Sequence, residues 1–307
     1  MTSWRKSKKY LGFFIGLVGL VVAAYASGCV YMWANQKYYI FMPQREITQT
    51  PADIKLAFED LYLPIDSNVD GDIERMHCWW IPTDHPTKRY MIYLHGSAYN
   101  MGANVDHARR FKDLGFSVLL ISYRGYGQSE GNFPTETQVY ADAEAAWDYL
   151  SIKKGIKPGD IFIYGHSLGG AVAINLAVSH PEAGGLIVEA AFTSIADMGR
   201  RNKLYRLLPI DLITHQRFDS INKINRLKVP VLILHGTEDR VVPFEMSRRL
   251  YEKAPAPKRL KLIRGGGHNN SARKGGAEYL NTVREFMKLV HEGISIGVDC
   301  SSDTTGG

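Results

Sequence analysis

Cysteine is scarce in this chain. Cys29, Cys78 and Cys300 are the only three in 307 residues, too few and too scattered for a disulfide framework or a zinc site. The histidines do not make up the shortage, because His95, His235 and His268 each follow a separate strand-like run, so neither a metal nor a cofactor is expected. A basic face is missing too. The net charge is +6, but Arg5, Lys6, Lys8 and Lys9 carry most of it within one short segment, and no nucleic-acid motif accompanies them, so no nucleic-acid partner is expected. Disorder is confined to the ends, since 45% hydrophobic and 22% charged residues are the proportions of an ordinary globular protein large enough for one full core.

Charge disappears altogether between Tyr10 and Gln36. A helix of that length spans about 40 Å, more than the roughly 30 Å of bilayer hydrocarbon requires. Basic residues precede it, and Trp4, Tyr10, Tyr31 and Trp33 flank it as interfacial aromatics do. The segment is expected to be an uncleaved single-pass anchor, with its N-terminus in the cytoplasm and the remaining chain outside. The runner-up is a lipoprotein anchored at Cys29, suggested by Ala26-Ser27-Gly28-Cys29, while Ala24-Tyr25-Ala26 would suit a cleaved signal were the apolar run not to continue through Trp33.

Chemistry enters with Gly165-His166-Ser167-Leu168-Gly169, which lies between the apolar run ending at Tyr164 and the helix-like run that begins at Gly170. A serine held between two glycines at a strand-to-helix bend projects its hydroxyl from the sheet edge beside free helix N–H groups. The strand-like run 229–234 is followed by Asp239, and the run 258–263 by Gly265-Gly266-Gly267-His268. Nucleophile, acid and base thus stand at strand ends in the order Ser167, Asp239, His268, the order of one serine-hydrolase architecture and not of the others.

Those residues, with Tyr90–Leu94 leading into His95-Gly96-Ser97 and with Tyr123-Arg124-Gly125-Tyr126-Gly127, resemble the α/β-hydrolase superfamily over about residues 38 to 290. The chain is most similar to its membrane-anchored abhydrolase-domain proteins, a group that includes palmitoyl-protein thioesterases and many uncharacterised bacterial serine hydrolases. The resemblance implies an oxyanion hole made by the backbone N–H groups of Ser97 and Leu168, with Ala98 the next candidate. Arg124 and Glu130 are expected to serve a glycine-rich loop with a buried or capping ion pair rather than to touch substrate.

Along the chain, 56–63 and 75–81 read as an antiparallel hairpin around the polar turn 66–72. Strands and helices then alternate. Strands are expected at 90–95, 116–123, 160–164, 185–190, 229–234 and 258–263, and helices at 104–114, from 136, at 170–177, 244–254 and 274–290. Thr135 and Gln138 form a capping box, and Val139, Ala143, Ala146, Trp147 and Leu150 make one apolar stripe. The fold class is therefore α/β, a mostly parallel eight-stranded sheet with helices on both faces. The domain plan is a basic segment 1–9, an anchor 10–36, a catalytic domain 37–292 with a short insert at 195–226, and a loose tail 293–307. The insert sits where the superfamily carries a lid, and either lid or plain cover of the sheet edge fits its composition. It has room for two or three short helices at most, which leaves the site rather open. Glu189 has no assigned role.

The expected activity is hydrolysis of a carboxylic ester or thioester of a small-molecule or acylated substrate through an acyl-enzyme. An amidase or peptidase using the same triad, or a non-catalytic binding protein of the same fold, are the alternatives.

Overall fold

In the computed structural model, residues 2–66, 72–86, 89–255 and 257–292 are described. The centre of the turn at 66–72 and the tail from Gly293 lie outside them. Among the described residues eight strands form one sheet: β1 (Glu59–Asp66), β2 (Ile73–Ile81), β3 (Tyr90–Leu94), β4 (Ser117–Ile121), β5 (Ile161–His166), β6 (Gly185–Glu189), β7 (Val231–Gly236) and β8 (Lys258–Ile263). Their spatial order is β8-β7-β6-β5-β3-β4-β2-β1. The hairpin β1–β2 and the β2–β4 pair are antiparallel, and every other pair is parallel. Met42–Pro43 and Ala98–Tyr99 add a two-residue parallel ladder.

Among the described residues ten α-helices accompany the sheet: α1 (Thr2–Ala34), α2 (Gln36–Ile40), α3 (Val105–Asp113), α4 (Glu136–Asp148), α5 (Leu168–Ser179), α6 (Ile195–Arg201), α7 (Ile210–Ile213), α8 (Ser220–Lys223), α9 (Phe244–Lys253) and α10 (Ser271–Glu292). The Thr135–Gln138 capping box starts α4, and all five residues of its apolar stripe are buried. Strands β3 and β5 to β7 are covered on both faces, which is why they read as continuous apolar runs. Alternate side chains of one strand enter different cores: Ile92 and Leu94 belong to the core that also holds α4, α5 and α9, whereas Met91 and Tyr93 belong to the one that holds α3 and α10.

The chain leaves β3 for β4 on one side and returns to place β5 on the other. That reversal opens a crevice at the carboxyl ends of β3 and β5, the place where open α/β sheets bind ligands. Ser97 follows β3 and Ser167 follows β5, so the topology itself brings them together.

Within α1, Tyr10–Ala34 is long and apolar enough to cross a membrane, with mean hydropathy 2.2 and none of its most apolar stretch buried. It is a candidate span or signal. The insert folds as three short helices, α6 to α8, with turns at Tyr205–Leu207 and Ile224–Arg226. Its coverage of the crevice is completed by the end of α1 and by α2, a contribution that periodicity along the insert could not reveal.

Candidate active site

Ser167 occupies the bend between β5 and α5 at φ 54°, ψ −118°, a backbone region that non-glycine residues avoid. The flanking glycines make the bend possible. A Cβ on Gly165 would stand 2.1 Å from the Gly169 carbonyl oxygen, and one on Gly169 would stand 2.1 Å from that of Leu94. The Ser167 N–H donates to the Glu189 carbonyl at 2.9 Å, which ties the bend to β6.

Asp239 lies in the turn after β7 with its side chain fully buried. One carboxylate oxygen, Oδ1, accepts from the N–H groups of Val241 and Val242 at 2.8 and 2.9 Å. The other, Oδ2, accepts from His268 Nδ1 at 2.7 Å. Burial alone would raise the Asp239 pKa, but hydrogen bonds from His235 and His268 and from the Val242 N–H outweigh it and hold the carboxyl well below the usual range.

His268 stands on the glycine-rich loop after β8, where Gly267 N–H donates to Asn270 Oδ1 at 2.7 Å. With Nδ1 donating to Asp239, Nε2 presents its lone pair to the Ser167 hydroxyl, 3.1 Å away. The three residues expected from their order along the chain therefore meet in space.

The N–H groups of Ser97 and Leu168 have no acceptor among the described residues, and both residues line the same cavity as Ser167. Ser97 is oriented through its carbonyl, which accepts from the Met42 N–H at 2.9 Å and the Tyr126 hydroxyl at 2.6 Å. The cavity measures about 380 Å³. Its walls come from the insert, from Val241 and Val242, and from Met32, Gln36, Tyr39 and Ile40 at the end of α1 and in α2. Most of its lining is apolar, and no acidic side chain lines it among the described residues.

Two histidines matter more than sequence reasoning indicated. His235, at the end of β7, places Nε2 3.2 Å from Asp239 Oδ2 and Nδ1 2.6 Å from Ser247 Oγ. His166 donates from Nε2 to the His268 carbonyl at 2.8 Å, and burial followed by the neighbouring His268 lowers its pKa. The signal for His235 is its spacing, four residues before Asp239 on a strand end. Nothing local announces the bond from His166, because its partner lies on a distant loop.

Glu189 is buried below the site. Its Oε2 accepts from the hydroxyls of Tyr164 and Tyr279 at 2.9 and 2.6 Å, and its Oε1 has no partner among the described residues. Among the described residues its side chain makes no hydrogen bond to Ser167, Asp239 or His268. Arg124 and Glu130 do not share one ion pair; each has its own partner. Arg124 pairs with buried Asp142 at 2.6 Å, and Glu130 with Arg75 at 2.6 Å. Among the described residues no cluster of His, Cys, Asp and Glu could hold a metal ion.

Comparison with known proteins agrees with this architecture. A family model described as serine aminopeptidase, S33, matches residues 85–215 and 215–271. An uncharacterised protein of Mycobacterium tuberculosis is 32% identical over 269 residues, 87% of this chain and 92% of the relative. The α/β hydrolase domain-containing protein WAV2 of Arabidopsis thaliana is 31% identical over 300 residues, 90% of this chain and 93% of the relative. Among solved structures, an esterase from Pyrococcus furiosus superposes with a TM-score of 0.65 at 22% identity, covering 80% of this chain and 98% of the esterase, a likeness of fold.

Proposed function

The chain belongs to the α/β-hydrolase superfamily, in the family described as serine aminopeptidase, S33, and from that premise we propose that it is a membrane-anchored serine hydrolase acting on carboxylic esters or thioesters. The observation that carries the reading is the line Asp239 Oδ2, His268 Nδ1, His268 Nε2, Ser167 Oγ, with links of 2.7 and 3.1 Å, whose serine end lines a mostly apolar cavity.

In this reading His268 Nε2 takes the hydroxyl proton as Ser167 Oγ attacks the acyl carbon. Asp239 fixes the imidazole tautomer and offsets the charge of the imidazolium. The carbonyl oxygen, now an oxyanion, accepts from the N–H groups of Ser97 and Leu168, an arrangement whose individual donors typically contribute about 3 kcal/mol. Collapse expels the alcohol or thiol, which takes its proton from His268. Water, deprotonated by the same nitrogen, then releases the acid and restores Ser167.

An aminopeptidase is the second reading, favoured by the family description. Such an enzyme must receive the substrate's free ammonium group, and an unpaired cation in an apolar site is strongly unfavourable. The lining offers no carboxylate to pair with it, which supports an apolar acyl group instead.

The α1 segment is read as an uncleaved anchor with its N-terminus cytoplasmic and the catalytic domain, 37–292, outside. Met32 and Gln36 line the cavity and Trp33 packs against His215, and these residues lie beyond Cys29, so they stay with the domain in either reading. Retention is supported by Tyr25, which cleavage before Cys29 would remove and whose hydroxyl donates to the insert at Leu207.

The test is a panel of esters, thioesters and aminoacyl amides of graded chain length, run on wild type and Ser167→Ala, with fluorophosphonate labelling alongside. Turnover of apolar acyl esters or thioesters, silenced in the alanine variant, is expected. Activity that survives Ser167→Ala, or cleavage of aminoacyl amides alone, would overturn the reading.

A further inference from the structure

We propose that the tip of the insert, at Leu204, Leu207 and Leu212, is immersed in the outer leaflet of the membrane that holds α1, so that the Ser167 cavity opens at the lipid surface. The inference rests on the anchor reading above. These three leucines are 67%, 71% and 85% exposed within one short insert. A scattered exposed leucine needs no explanation, whereas a cluster beside an apolar helix marks a contact surface.

Depth along the helix decides which surface. The Tyr25 hydroxyl donates to the Leu207 carbonyl at 2.8 Å. Every stretch of about 20 residues within Tyr10–Ala34 contains Tyr25, so wherever the roughly 30 Å hydrocarbon layer falls along this helix, Tyr25 lies inside it. Leu207, in direct contact with Tyr25, is brought to the same level. The bond also satisfies a backbone carbonyl that hydrocarbon would otherwise leave unpaired.

The insert is tied to the helical segment at further points. Gln36 donates through Nε2 to the Ile213 carbonyl, and its Oε1 accepts from the N–H groups of His215 and Gln216, each at 3.1 Å. Trp33 meets the His215 ring at 5.3 Å between centroids. Insert and helix therefore keep one relative height. Arg201, Lys203 and Arg206 are exposed around the leucines. Cations interleaved with leucines suit an anionic phospholipid surface, the leucines entering the acyl region and the basic heads reaching the phosphates. Met32 and Gln36 are walls of the cavity, so an acyl chain lodged in that leaflet reaches Ser167 along the helix without crossing bulk water.

The test uses the full-length chain in nanodiscs of phosphatidylcholine with phosphatidylglycerol. Leu207→Cys, Leu212→Cys and, as a control, the exposed site Ile152→Cys are made in a Cys29→Ser, Cys300→Ser background and labelled with a bimane fluorophore. Lipids carrying a doxyl group on the acyl chain are expected to quench the labels at 207 and 212 about fivefold more than the label at 152, and aqueous iodide to do the reverse. In a second arm, Leu207→Asp with Leu212→Asp should slow turnover of a long-chain ester in the discs about tenfold and leave a water-soluble acetate ester within about twofold. Labels at 207 and 212 that iodide quenches like the one at 152 would overturn the inference. The labelling needs no hydrolysis, so its failure is separate from failure of the hydrolase reading. Intact mass, which reports whether residues 10–34 are retained, separates a wrong surface from a lost anchor, and either result with an aqueous tip sinks the inference.

Discussion

His235 Nε2 stands 3.2 Å from the same Asp239 oxygen that His268 Nδ1 approaches to 2.7 Å. One carboxylate oxygen thus faces two imidazoles, one fully buried and one partly exposed. The buried ring also meets Ser247 Oγ and the Val242 carbonyl, so it is a rigid strut that sets where Asp239 can point.

His235→Phe removes that strut. We expect kcat on a soluble ester to fall about tenfold with KM little changed, because orientation of the relay suffers and the cavity does not. Stability should fall by about 1–3 kcal/mol, since Ser247 loses a buried partner. Steady-state kinetics with urea denaturation checks both, and an unchanged kcat in a stably folded variant would remove His235 from the site.

Ser167 is held at φ 54°, where a Cβ is unfavourable. Ser167→Gly and Ser167→Ala should both be inactive, but the glycine variant should be more stable than the alanine variant by about 1 kcal/mol. Thermal denaturation of the pair decides it. Equal stability would mean that the bend stores no backbone strain.

His95 is fully buried, and desolvation lowers its pKa to about 4 from an ordinary 6.5. The unfolded chain therefore binds a proton near pH 6.5 that the folded chain refuses until about pH 4. Stability is intact above pH 6.5 and declines as pH falls towards 4, by about 3 kcal/mol from this residue. His95→Gln should flatten that slope in denaturant titrations between those limits. A slope equal to that of wild type would place the acid sensitivity elsewhere.

Arg124 and Asp142 form an ion pair in which both side chains are almost wholly buried, with two more bonds at 2.9 Å from Arg124 to the same carboxylate. Arg124→Met strands that carboxylate and should lose about 3–5 kcal/mol. Arg124→Met with Asp142→Leu should recover much of the loss, because a desolvated charge is no longer left alone. A double variant no better than the single one would contradict this account.

The elements that were legible are those whose signals are short in range. The capping box at Thr135 and Gln138 predicts the start of α4, and glycine spacing around Ser167 predicts the bend, because in each case the interacting groups are neighbours in the chain. Strand edges shifted by a few residues: 56–63 became Glu59–Asp66, since pairing with Trp80 and its neighbours sets the register and local polarity does not. The role of His235 and the roof made by α2 and the end of α1 were not legible, because their partners lie on other elements.

Composition and order along the chain were sufficient for the α/β class, for the apolar N-terminal helix, and for naming Ser167, Asp239 and His268 as one set, since periodicity, charge and strand-end motifs are properties of local stretches. Only the tertiary structure decided that His268 Nε2 comes 3.1 Å from Ser167 Oγ, that His235 shares the carboxylate of Asp239, and that Tyr25 reaches Leu207. Such distances depend on how a twisted sheet and its packed helices bring remote segments together, and no local pattern encodes that geometry.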